Sequence, residues 1–135
     1  MIAHKSEAGF TSLEALVGAT LFSVIAAGLA VTTIGTTKAN TTSRYTAAAS
    51  TLIYDKIEQF RSGSNPGDLA PGAHSDPNNP VSSVGSAGGM FTRTWAVTQN
   101  VPRPGVHEVT VTISWNQDGP RSLRGITYVC GWPTC

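Results

Sequence analysis

Charge is scarce in this chain: 13% of its 135 residues are Asp, Glu, Lys or Arg, about half the ~25% of an ordinary globular domain. The net charge is +1 and no block of basic residues occurs, so nothing supplies the electrostatic footprint of a nucleic-acid binder. Cysteine is nearly absent as well, with Cys130 and Cys135 at the C-terminal end and none elsewhere. Their four-residue gap fits no common zinc pattern. In an oxidising compartment the pair is expected to form a short-loop disulfide that pins the tail. No G-x-S-x-G, P-loop or H-E-x-x-H occurs, and His4, His74 and His107 lie far apart. No enzymatic site and no cofactor is therefore expected.

Proline is missing between Phe10 and Arg61, and that absence leads to what is present. From Phe10 to Ile34 run 25 residues with one charge, Glu14. About 20 predominantly apolar residues cross a bilayer, so the length suffices with some tilt. Ala15, Gly18, Ala19, Ala26, Ala27, Gly28 and Ala30 are small enough to let other helices approach closely. The lone carboxylate is the anomaly, because an ionised side chain within a bilayer costs several kcal/mol unless it lies near the interface or has a partner. An anchor with no other task would omit Glu14, so a neighbouring copy is expected to neutralise it. Lys5 on one side and Lys38 with Arg44 on the other leave the orientation open by charge alone.

Further along, Tyr45, Ala48, Ala49, Leu52, Ile53, Ile57 and Phe60 recur at three- and four-residue steps, which predicts one apolar helical stripe. Asp55, Lys56, Glu58 and Gln59 fall mostly off that stripe, and Ser62-Gly63 then Pro66 end it. Thr32 to Ser43 holds six threonines, a stretch where β-branching lowers helix propensity and fraying is expected. Ser62 to Gly89 is rich in Gly, Pro, Ser and Asn and reads as a long loop, with His74 as a solvated side chain. Alternation then predicts strands over 91–97 and 109–115, with a third over 122–129, joined by turns at 102–105 and 116–120. Three antiparallel strands with one apolar face need a cover, and the Tyr45–Phe60 stripe is the helix available. Trp95 and Trp115 are read first as core, with an exposed sugar or peptide platform as the alternative. The expected class is α+β: a long N-terminal helix on a small antiparallel sheet.

Gly9-Phe10-Thr11-Ser12-Leu13-Glu14-Ala15-Leu16-Val17 resembles the start of type IV prepilins and type II secretion pseudopilins. The resemblance implies four segments: a leader over 1–9, a membrane and assembly helix over 10–35, its amphipathic half over 36–62, and a head over 63–135. It implies cleavage between Gly9 and Phe10 by prepilin peptidase, N-methylation of Phe10, and Glu14 as the fifth mature residue, the family's assembly glutamate. It also implies an inner-membrane, single-pass subunit with its head in the periplasm, later part of a pilus or pseudopilus. The partners implied are the peptidase, other pilin or pseudopilin subunits, the membrane, and an assembly platform with its ATPase. Family major pilins often carry a proline in the membrane helix; its absence here favours a minor pilin or pseudopilin. A competing expectation is a membrane-tethered periplasmic ligand-binding module whose helix does not assemble.

Overall fold

The computed structural model describes residues 11–63 and 66–130. Their order is α1 (Ser12–Arg61), a short 3-10 helix (Pro66–Leu69), β1 (Gly72–Ser75), β2 (Thr92–Gln99), β3 (Val106–Asn116) and β4 (Pro120–Cys130). The strands form one antiparallel sheet in the order β1-β2-β3-β4. The chain divides into two compact units, residues 1–41 and 42–135, so the second unit takes the C-terminal part of α1 together with the sheet.

In the first unit the described residues are helical from Ser12 onward and exposed up to Asn40, with Thr41 half-buried. Thr11 caps the start: its hydroxyl accepts from the Glu14 N–H at 3.3 Å and its carbonyl from the Ala15 N–H at 3.2 Å. The threonine-rich stretch stays helical rather than fraying. Hydroxyls of Thr32, Thr33, Thr36, Thr37 and Thr41 each donate to the carbonyl four residues back. Each polar group is thereby satisfied within the helix, at a small cost in helix stability.

In the second unit the predicted stripe is the cover of the sheet. Ala49, Leu52, Ile53, Ile57 and Phe60 are buried, and Tyr45 and Ala48 pack beside them. They meet Trp95 and Val97 of β2, Val109, Val111, Ile113 and Trp115 of β3, and Val129 of β4. Helix and sheet approach closely at Gly125, where a Cβ would come within 2.5 Å of Ile53 Cγ2. Both turns form where expected. In the β3–β4 hairpin Asp118 and Gly119 adopt left-handed backbone (φ 51° and 130°), and the Gln117 N–H donates to the Gly119 carbonyl at 3.0 Å.

The long loop with little regular structure expected over 62–89 is the main correction. Besides the 3-10 helix it contains β1, whose register Gly72↔Val97 to Ser75↔Thr94 adds a fourth strand to the sheet edge. β1 has no apolar alternation, and its placement rests on backbone pairing to β2. Val81, within the same stretch, is fully buried and bridges Ala87 and Phe91.

Candidate functional site

Glu14 lies in the first turn of α1. An anion there opposes the exposed N–H groups and the positive end of the helix dipole. Thr11-Ser12-Leu13-Glu14 is also a T-x-x-E capping pattern, a local role that the sequence carried and the charge argument overlooked. Among the described residues no side chain meets the Glu14 carboxylate. Gly9 and Phe10 lie outside the described residues. Downstream of Glu14, α1 contains a segment long and apolar enough to cross a membrane, with none of that window buried. Large side chains are exposed all round it: Leu13, Leu16, Phe22, Val24, Leu29 and Val31 are each at least 64% accessible.

Cys130 ends β4 and is disulfide-bonded; Cys135 lies outside the described residues.

Trp95 and Trp115 are core, not a platform. Trp95 is 4% and Trp115 8% exposed. Trp95 meets Phe60 edge-on at 6.0 Å, and its indole N–H donates to the Asp68 carbonyl at 2.8 Å. His74 is half-buried rather than solvated: its ring stacks on Trp95 at 5.5 Å with planes 7° apart, and Nε2 sits 2.8 Å from the Ala70 carbonyl.

Two buried cations hold the α1–β2 connection, and sequence reasoning assigned neither a role. Lys56, placed off the apolar stripe by its charge, is 5% exposed. Its Nζ lies 2.6 Å from Asp68 Oδ2 and 4.0 Å from the centroid of Trp95, which offsets the loss of water by an ion pair and a cation–π contact. Arg93, 4% exposed, contacts Asp76 Oδ2 through Nε at 2.7 Å and Nη2 at 2.6 Å, and Asp55 Oδ2 through Nη1 at 3.1 Å. Asn79 grips the same residue's backbone, donating to its carbonyl and accepting from its N–H, both at 2.8 Å. Burial alone would raise the Asp76 pKa. The Asn78 N–H and the Arg93 guanidinium overcome it and hold the carboxyl below its usual range. One signal for Arg93 was present: alternation puts it on the same face as Trp95 and Val97.

A half-open cavity of about 880 Å³ lies where the end of α1 meets the sheet, lined by Phe60, Leu69, Gln99, His107, Tyr128 and Val129 among others. Its His107 Nδ1 has no hydrogen-bond partner among the described residues. No group of three His, Cys, Asp or Glu side chains converges among the described residues. Comparison with known protein families, curated proteins and solved structures finds no match for the chain.

Proposed function

We propose that this chain is a non-enzymatic structural subunit of a type IV pilus or pseudopilus, most similar to a minor pilin. In this reading it is made as an inner-membrane prepilin with a periplasmic head, cut between Gly9 and Phe10, and methylated on Phe10. An assembly platform and its ATPase then draw it into the fibre. The single observation that carries the reading is Glu14, a carboxylate without a side-chain partner among the described residues, in the first turn of α1 ahead of an apolar span and five residues after a glycine. The new α-amine of Phe10 is a cation in or near the bilayer, and Glu14 of another copy pairs with it, so each offsets the other's desolvation. Such a pair is strong only when both partners are present, which makes it a check on register. Contacts of this head-to-tail kind do not close, and so build a helical fibre.

Mass spectrometry of the natively expressed protein tests the first step, with a methylated Phe10 as the expected N-terminus. A mature pool still carrying residues 1–9 would end the proposal. Replacing Gly9 by Leu should leave the leader attached. Glu14→Ala should be cleaved normally yet enter fibres poorly; equal incorporation would remove the pairing argument.

A second reading, a tethered ligand-binding module, is favoured by the 880 Å³ cavity. An intact Met1 in the mature protein would support it over the fibre.

A further inference from the structure

The outer face of the sheet, opposite α1, is unusually poor in charge. On the four rungs from Glu108 to Ser114, strand register places fourteen residues on it, of which only Glu108 and Arg124 are charged, against the ~25–35% of a typical soluble surface. None of these fourteen is buried, so neither α1 nor a loop covers these rungs; Val106, on the next rung, is buried. Its apolar, accessible part lies on the edge strand β4 and is centred on Ile126, which is 57% exposed, with Tyr128 at 55%. Thr94, Thr110 and Thr112, half-buried around that centre, have no side-chain hydrogen bond among the described residues.

The two charges are arranged about that centre in a particular way. Thr110 pairs with Ile126 on the middle rung. Arg124, paired with Thr112, lies one rung to one side, and Glu108, paired with Tyr128, lies one rung to the other. At ~3.3 Å per residue, Arg124 and Tyr128 are each about 7 Å from Ile126 along β4. The Tyr128 hydroxyl donates to Glu108 Oε2 at 3.1 Å, so acid and ring form one unit.

We infer that this face docks onto the same face of a second copy through a twofold contact whose axis runs along the Thr110–Ile126 rung. Such an axis exchanges the flanking rungs. Arg124 of each copy then meets the Tyr128 ring and the Glu108 carboxylate of the other, combining a cation–π contact with an ion pair, made twice. Ile126 meets its own equivalent at the axis. Two twisted sheets pack in this way about 10 Å apart, with strand directions within about 30°. The flat area available is roughly 350–500 Å² per copy, from ~3.3 Å per residue and ~4.8 Å between strands. That lies at or below the small end of specific interfaces, so the dimer is weak and concentration-dependent. The contact does not depend on the fibre reading and would survive a failure of cleavage at Gly9.

The test uses the full chain in detergent over a range of concentrations, with a short bismaleimide as cross-linker and circular dichroism to check folding. Ile126→Cys, at the axis, should cross-link to itself in a single-variant sample. Val84→Cys, 83% exposed in the loop between β1 and β2, should give at least tenfold less dimer and controls for association through α1. Introduced into the Ile126→Cys background, Arg124→Glu and Glu108→Arg should each reduce dimer about tenfold. Mixing the two charge variants in equal amounts should restore it, because both crossed pairs then carry opposite charges. Equal cross-linking of the Ile126→Cys and Val84→Cys proteins, or a mixture no better than either charge variant alone, would overturn the inference.

Discussion

The two units of this protein treat the same kinds of side chain in opposite ways. Phe91 of the second unit is 2% exposed and wedged among Tyr45, Trp115 and the aliphatic core, whereas Phe22 of the first is 72% exposed. Threonine divides likewise. Along α1 its hydroxyls turn back onto the helix's own carbonyls, while on the outer face of the sheet Thr94, Thr110 and Thr112 have no side-chain partner among the described residues. The second unit therefore stabilises itself by internal burial. In the first, threonine hydroxyls are satisfied within the helix, while the apolar side chains stay exposed to whatever surrounds them, lipid or other helices.

The largest test of this contrast uses one substitution in both units. Phe91→Ala should cost the second unit about 3–5 kcal/mol by transfer loss and cavity formation. Phe22→Ala should stay within about 0.5 kcal/mol in the same denaturation experiment read by tryptophan fluorescence.

Asp76→Asn should cost about 3 kcal/mol, because it leaves the buried Arg93 guanidinium with the half-exposed Asp55 as its one carboxylate partner among the described residues. It should also change the pH dependence of unfolding. The folded Asp76 pKa lies below the unfolded value of 3.8, so its stabilisation is complete above that value. It is lost as pH falls through the lower folded pKa. The parent's acid unfolding should therefore steepen below pH ~4, and the Asn variant should lack that contribution.

Gly125→Ala should cost about 1–3 kcal/mol, since the new methyl meets Ile53 Cγ2. Combining it with Ile53→Ala should cost less than the two single effects added, a coupling measurable by a double-mutant cycle. The smallest effect carries the threonine contrast. Thr37→Ala should raise helix stability by about 0.5 kcal/mol, while Thr112→Ala should lower that of the sheet by a similar amount. Equal signs would mean that the two threonine environments do not differ as described.

Much of this fold is legible in the sequence where neighbours three, four or two apart carry the signal. The stripe ending at Phe60 and the alternation from Val109 to Trp115 each report their buried face without knowledge of the rest of the chain. β1 escapes that logic because Gly72-Ala73-His74-Ser75 has no periodic apolar face, and it is placed by backbone pairing to β2 and by the stacking of His74 on Trp95. Lys56 and His74 run against the pattern for the converse reason: polar side chains are expected outside, and the contacts with Trp95 of β2, with Asp68 and with the Ala70 carbonyl that make burial tolerable come from elsewhere in the fold. Of the candidate site, the lone carboxylate and the apolar span were visible, and so was the capping pattern around Thr11. The charge symmetry of the outer face was not, because it arises only once strand register is set.

The amino-acid order by itself determined an apolar span bearing one acid, an amphipathic helical continuation, two hairpin turns and the α+β class. All are written in local spacing, which short-range sterics and burial can read directly. Tertiary structure alone decided which charges go inside and which strands share an edge. It also set where Arg124 stands relative to Glu108. Arg93 reaches Asp55 across 38 residues of sequence, and attraction over such a separation has no meaning until the chain between them has folded.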